Sequence, residues 1–277
     1  MTRRAAVALA AVVVVVALAG YGARRLWLKS DDLLRPVVVM HDANAAGLVR
    51  PSLARRIGVL LHGTGASRQA PKLIALTFDD GPYPVTTPLL LQTLADLKVP
   101  ATFFLIGRDA EQFPTLAAEI AARGHEIADH TLTHPNLDQL GTAAVTTEIR
   151  AGAQTLQQLA PDPAERTMFR PPHGRYTLAT IDAAQAAGYD TILWTDDPGD
   201  WRSVGAETLL AHVRSRATAP EVLLLHSGRP ATIAMLPALV TSYRNAGYTF
   251  VTVGELLRRV PPADLNRAAK EALPSGA

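Results

Sequence analysis

The 277-residue chain contains no cysteine. Disulfide scaffolds, thiolate nucleophiles and cysteine-held zinc or iron–sulfur centres are thereby excluded, and any metal must be held by His, Asp or Glu. Excess charge is also missing: 27 Lys and Arg against 25 Asp and Glu leave a formal net charge of +2, partly carried by Arg3, Arg4, Arg24 and Arg25. That is no footprint for nucleic acid. Aromatic residues make up only 5%. With 48% hydrophobic and 19% charged residues, the chain is neither disordered nor collagen-like, and its length fits one large domain with a full core.

One long apolar run is present. After the basic Met1 to Arg4, the segment Ala5 to Ala23 carries no charge, includes the valine block Val12 to Val16, and is closed by Arg24 and Arg25. Residues 1–28 read as a signal peptide or membrane anchor: Ala17-Leu18-Ala19 offers a small-x-small cleavage pattern, and the run is close to the roughly 20 residues of a spanning helix. Valine is a poor helix former in water and basic flanks suit lipid headgroups, so an anchoring hydrophobic helix is favoured over a core helix. No Cys follows Gly20, which excludes a lipoprotein. The expected location is extracytoplasmic, with the membrane as a partner if the segment stays uncleaved.

Residues 29–71 mix Gly, Ala, Arg and Pro around two apolar runs, Val37 to Met40 and Ile57 to Leu61, and read as a linker or accessory segment with added strands. From Lys72 short β-like runs alternate with helix-period segments, the pattern of βα units around a parallel sheet. Strands are expected at Leu73 to Thr77, Ala101 to Leu105, Glu126 to Asp129, Met168 to Arg170, Thr191 to Trp194, Val222 to His226 and Thr249 to Val251. Helices are expected at Pro88 to Leu97, Leu116 to Arg123, Ala143 to Leu159, Leu178 to Ala187, Glu207 to Arg216 and Ile233 to Ala246. The fold class is α/β, a barrel or a doubly wound sheet, and the chemical-looking residues cluster after the strands, where such folds bind ligands.

In Leu76-Thr77-Phe78-Asp79-Asp80-Gly81-Pro82 two adjacent carboxylates end an apolar strand. They repel unless something positive separates them, and a cation on one would leave the other free as a base; a solvated turn is the plain alternative. His130-Thr131-Leu132-Thr133-His134 spaces two imidazoles at i and i+4, expected on one side of a helical turn as in zinc enzymes, without the Glu of the His-Glu-x-x-His pattern. Asp80, His130 and His134 would form a three-ligand site with a position open for water. Arg170-Pro171-Pro172-His173-Gly174, Asp197 to Trp201 and Leu224-Leu225-His226 add further candidates. Each has a structural reading: Arg170 paired to a surface acid, Trp201 in the core, His226 satisfying a carbonyl.

Taken in this order, the five motifs resemble those of the polysaccharide deacetylase family, the NodB-homology domain of carbohydrate esterase family 4, over roughly Lys72 to Arg259. The resemblance implies a distorted (β/α)7-type barrel over residues 72–260, followed by a tail at 261–277. It further implies a divalent metal, usually Zn2+, and removal of acetyl groups from N-acetylated or O-acetylated glycans, with peptidoglycan within reach of an exported enzyme. Position by position, it implies Asp79 as catalytic base and Asp80, His130 and His134 as metal ligands. His226 becomes the acid, Arg170 orients Asp79 and Asp200 orients His226. Substrate would be bound by Pro172, His173, Trp201 and Leu224, the last two walling the acetyl methyl group.

Three positions depart from the family pattern: His173, where an aromatic is frequent, Gly199, where a basic residue is common, and Ser227, where Asp usually follows the acid histidine. They bear on substrate preference more than on chemistry. An amidase acting on a non-sugar C–N bond and a catalytically silent carbohydrate-binding module are the alternatives. His41, His62, His125 and His212 fall outside every motif and carry no expected chemical role, and Asp196 is unassigned.

Overall fold

A computed structural model of the chain describes residues 39–40, 71–161 and 167–260. The apolar N-terminal run, Ile57 to Leu61 and the tail at 261–277 lie outside the described residues. Among the described residues, no helix is long and apolar enough to cross a membrane.

Strand β2, Leu73–Asp79, is the hub; β1 is the two-residue Val39–Met40, part of an apolar run expected as an added strand. Around β2 lie β3 Thr102–Leu105, β4 Glu126–Asp129, β5 Met168–Phe169, β6 Asp190–Ile192, β7 Glu221–His226 and β8 Thr249–Val251. The sheet order is β1-β6-β5-β4-β3-β2-β7, with β8 added on β2. The pairs are parallel except for β1, which runs antiparallel to β6. The sheet curls until the segment beyond β6 meets β7, where Thr195 donates to the Val222 carbonyl (2.9 Å) and Leu224 to that of Asp196 (3.0 Å).

Burial on both faces of β2 produces its near-continuous apolar run. Successive side chains alternate. Ile74, Leu76 and Phe78 enter the large core between sheet and helices, whereas Leu73 and Ala75 enter a smaller core inside the curl with Phe104, Ala128, Ile192, Val222 and Val251. By the same period, Thr77 and Asp79 continue the inner face, which brings Asp79 inside the curl at the strand end.

The helices are α1 Thr86–Leu97, α2 Gly107–Gln112, α3 Pro114–Ala122, α4 Thr142–Leu159, α5 Leu178–Ala186, α6 Ala206–Arg216, α7 Pro230–Asn245 and α8 Val253–Arg259. In α4, Val145, Ile149, Gly152 and Leu156 form the buried stripe. Gly152 is required there, because a Cβ would stand 2.3 Å from Asp129 Oδ1 and 2.6 Å from the Thr131 carbonyl carbon. That close approach sets α4 against the loop leaving β4. All seven strands expected from Lys72 onward form, with ends shifted by up to two residues; α2 and α8 were not expected.

Candidate active site

Asp79 and Asp80 would point to opposite sides in a regular strand. Asp80 instead has φ 68°, and this left-handed turn lets both carboxylates reach one imidazole: His130 Nε2 is 3.7 Å from Asp79 Oδ2 and 3.8 Å from Asp80 Oδ1. Gly81, at φ 71°, completes the turn, and Ser227 Oγ donates to the Asp79 and Asp80 carbonyls (3.2 and 3.1 Å). A Cβ on Gly81 would lie 2.8 Å from that Oγ.

The expected helical turn at His130 to His134 is not formed: the segment is a loop, with Thr131 at φ 70° and His134 at φ 60°. Local hydrogen bonds explain this. Thr131 N–H donates to Asp129 Oδ1 (3.1 Å), His134 N–H to Thr131 Oγ1 (3.0 Å), and Thr133 N–H and Oγ1 both donate to the Glu148 carboxylate of α4 (2.9 Å each). Such side-chain acceptors offer the backbone an alternative to the helix. Among the described residues, four of the five non-glycine residues with positive φ, namely Asp80, Thr131, His134 and His173, surround this one site. Strained backbone of this kind persists only where surrounding structure imposes it.

His134 Nε2 lies 3.3 Å from Asp80 Oδ1, and one ligand atom each from Asp80, His130 and His134 fall within 4.8 Å of one another. The donor chemistry fits a divalent cation. His130 Nδ1 faces the Arg170 carbonyl at 2.8 Å, so that nitrogen carries the proton and Nε2 keeps its lone pair toward the cluster. Burial pulls the His130 pKa down to about 3, which keeps the ring neutral and ready to ligate.

Arg170 is wholly buried. Its Nη1 donates to Asp79 Oδ1 (2.6 Å) and Thr77 Oγ1 (2.8 Å), Nε to the Ile192 carbonyl (3.2 Å) and Nη2 to the Leu193 carbonyl (3.0 Å). The guanidinium lies over the Phe104 ring at 3.9 Å. A surface pairing for Arg170 is thereby excluded. Burial pushes the Asp79 carboxyl above its ordinary range, opposed chiefly by the Arg170 charge.

On the neighbouring strand His226 is the register partner of Asp79. Its Nδ1 meets Asp200 Oδ1 at 2.7 Å, while Asp200 Oδ2 accepts from the His226 N–H (2.8 Å) and Thr232 Oγ1 (2.6 Å). Burial lowers the His226 pKa, but the Asp200 hydrogen bond and the charges of Asp79, Asp200 and Asp80 outweigh it and raise the value to about 9. Leu224, buried and two residues earlier, shares the His226 face of β7. Pro172 and His173 lie on a short 3-10 turn after β5, the His173 ring edge-on to His134 at 4.4 Å.

Trp201 is not a core residue: it is 46% exposed, with Nε1 donating to Asp197 Oδ2 (3.4 Å) and the Arg202 guanidinium stacked on it at 4.5 Å. Arg202 also lies against Gly199, its carbons and Nε 3.5 to 3.7 Å from where a Cβ would stand. Outside the cluster, Asp196 is buried and accepts from His212 Nε2 (3.0 Å) and Arg216 Nε (3.3 Å), and His125 packs edge-on to Phe103. Sequence reasoning missed Thr77, Thr232 and Glu148, ordinary polar residues whose roles arise only once distant segments meet.

A parallel α/β sheet whose strand ends converge on a three-ligand cluster is the setting of a hydrolase. Residues 66–192 match the polysaccharide deacetylase family model. The peptidoglycan-N-acetylglucosamine deacetylase of Bacillus cereus is 38% identical over 192 residues, 68% of this chain and 89% of that protein. The chitooligosaccharide deacetylase of Sinorhizobium fredii is 33% identical over 67% of this chain and 90% of its own. Among solved structures, the Bc1960 peptidoglycan N-acetylglucosamine deacetylase, in complex with a 4-naphthalen-1-yl-N-oxidanyl-benzamide, superposes with a TM-score of 0.64 at 31% identity, covering 67% of this chain and 87% of that one. The chain belongs to the polysaccharide deacetylase family.

Proposed function

We propose that the protein removes acetyl groups from N-acetylated sugars of a cell-envelope glycan, with peptidoglycan as the first candidate. The observation that carries this reading is the register pairing of Asp79 with His226 across adjacent parallel strands, each held by its own buried counter-ion beside the Asp80, His130 and His134 cluster. Asp80, His130 and His134 would hold a divalent cation, Zn2+ by their donor chemistry, which when bound polarises a carbonyl and lowers the pKa of water.

The residues of the chain supply the proton steps. Asp79, fixed by Arg170 in one orientation, takes the proton from the attacking water. His226, kept protonated by Asp200, gives its Nε2 proton to the departing sugar nitrogen as the tetrahedral species collapses, leaving acetate and a free amine. The backbone N–H of His173 faces the developing oxyanion, and Leu224 and Trp201 wall the methyl group, with Pro172 stiffening the turn. The full set of base, ligands and acid supports this reading over a silent carbohydrate-binding module.

The curled sheet is read as a distorted (β/α)7 barrel forming a deacetylase domain over 72–260. Residues 29–71 are read as a linker or accessory segment that contributes β1, and 261–277 as a tail. The apolar run in 1–28 is read as a signal peptide or anchor that places the enzyme outside the cytoplasm. Acetate release from peptidoglycan fragments, chitin oligomers and acetylated xylan tests the activity, after metal stripping and again after zinc is restored. Zinc-dependent release from an N-acetylated glycan is expected; no release from any of the three overturns the reading.

A further inference from the structure

A cavity of about 330 Å3 opens directly from the site, with Asp80 and His226 at one end and Tyr83, Pro84, Val85 and Arg229 along its walls. Two features distinguish these walls from ordinary surface. The Tyr83 ring is fixed: a Cβ on Gly228 would stand 2.7 Å from it and one on Gly81 3.2 Å, and the Tyr83 N–H donates to Thr87 Oγ1 at 2.8 Å. Together with Pro84 and Val85, which is 72% exposed, it presents a preformed apolar face beside the chemistry. Opposite in character, Arg229 is exposed; its carbonyl accepts from the Thr232 and Ile233 N–H groups of α7, but among the described residues its guanidinium makes no hydrogen bond or ion pair.

The charges facing this cavity make an anion welcome. Its one lining carboxylate, Asp80, is turned to His130 and His134, and His226 is paired with Asp200, which leaves Arg229 as the wall charge without a counter-ion. An apolar wall suits the face of a sugar ring, and a free guanidinium suits a carboxylate, which it can grip with two parallel hydrogen bonds.

From this we infer that the cavity holds the sugar adjoining the one being deacetylated, and that Arg229 reads a carboxylate substituent on it. The inference rests on the deacetylase reading above and narrows its substrate class. The preferred glycan alternates acetylated amino sugars with carboxylate-bearing ones, as peptide-free peptidoglycan does through its lactyl groups, and neutral chitin oligomers are second choice. Arg229 is then a specificity-determining residue.

The test is binding, measured by calorimetry on the full chain carrying Asp79→Asn so that bound glycan is not turned over. A peptide-free peptidoglycan tetrasaccharide is compared with the same oligomer after reduction of its carboxyls. The acidic form should bind roughly 10-fold tighter, the size of one charge-assisted hydrogen bond in a partly open cleft. The advantage should shrink with added salt, vanish on adding Arg229→Gln, and persist with Arg123→Gln just after α3. Equal binding of the two oligomers, or a difference that survives Arg229→Gln, overturns the inference. Acetate release by the unaltered chain reads the deacetylase function separately: its absence on both oligomers would remove that reading while the binding comparison still decides the role of Arg229.

Discussion

Two ion pairs face each other across the cleft, built from the same parts in opposite order. In the first, a buried cation, Arg170, holds a carboxylate, Asp79, at 2.6 Å; in the second, a buried carboxylate, Asp200, holds an imidazole, His226, at 2.7 Å. Arg170 divides its donors among Asp79, Thr77 and the carbonyls of Ile192 and Leu193, whereas Asp200 gives both oxygens to His226, sharing one with Thr232. Burial outweighs Arg170 and the lesser contributions of His226 and His134 at Asp79 and raises its pKa, while the Asp200 hydrogen bond and three carboxylates outweigh burial at His226 and raise it to about 9. Burial alone therefore does not decide protonation; the balance of surrounding charge does.

The largest effect is expected at Asp79. Asp79→Asn keeps the shape but cannot accept a proton, so turnover should fall by about 10,000-fold with the metal content unchanged, whereas Asp80→Asn should lower the metal content itself. Acetate assays paired with metal analysis check this, and reversed phenotypes would exchange the two roles. At the other pair, His226→Ala should cost roughly 100-fold to 10,000-fold on N-acetyl sugars and much less on aryl acetates, whose leaving group needs no protonation. Equal losses on both would make His226 a positioning residue. Adding Asp200→Asn to His226→Ala should cost little more, and strict additivity would separate the pair.

Stability sharpens the contrast further. Arg170→Met strands the buried Asp79 charge and three other acceptors, so urea unfolding should show a loss of about 3–5 kcal/mol, partly recovered by adding Asp79→Asn. A loss under 1 kcal/mol would show that water reaches the site to replace the guanidinium. The smallest effect is in pH. The His226 pKa is about 9 folded against an ordinary 6.5, so its contribution is fully present below pH 6.5 and is lost as pH rises through 9. Metal-stripped protein should therefore lose stability between pH 6.5 and 9, and His226→Gln should flatten that slope in melting experiments.

Much of this was legible in sequence because the buried parallel strands are short apolar runs ending in polar clusters, and Asp79, Asp80 and His226 stand at such ends. The loop at His130 to His134 was misread as a helical turn, since i, i+4 spacing is shared by any backbone that brings two residues together. Its actual course depends on Glu148 and Gly152, residues of a helix not yet reached in the chain. Helix α2 has no apolar period in Gly-Arg-Asp-Ala-Glu-Gln, and α8 follows β8 too directly to be separated from it. The burial of Arg170 was hidden for a related reason: its partners come from β2 and from the chain beyond β6.

Strand β2 is bound at its start by β8, which arrives only at Thr249–Val251. During synthesis every candidate site residue, up to His226, has therefore been delivered before the lower half of the strand ending in Asp79 has its second partner. Until then Leu73 to Ala75 keep an open edge on the side away from β7, a template for the wrong neighbour. The site is thus complete along the chain well before it is complete in space, and a nascent chain halted just short of Thr249 would hold all the chemistry on a sheet still open to misassembly.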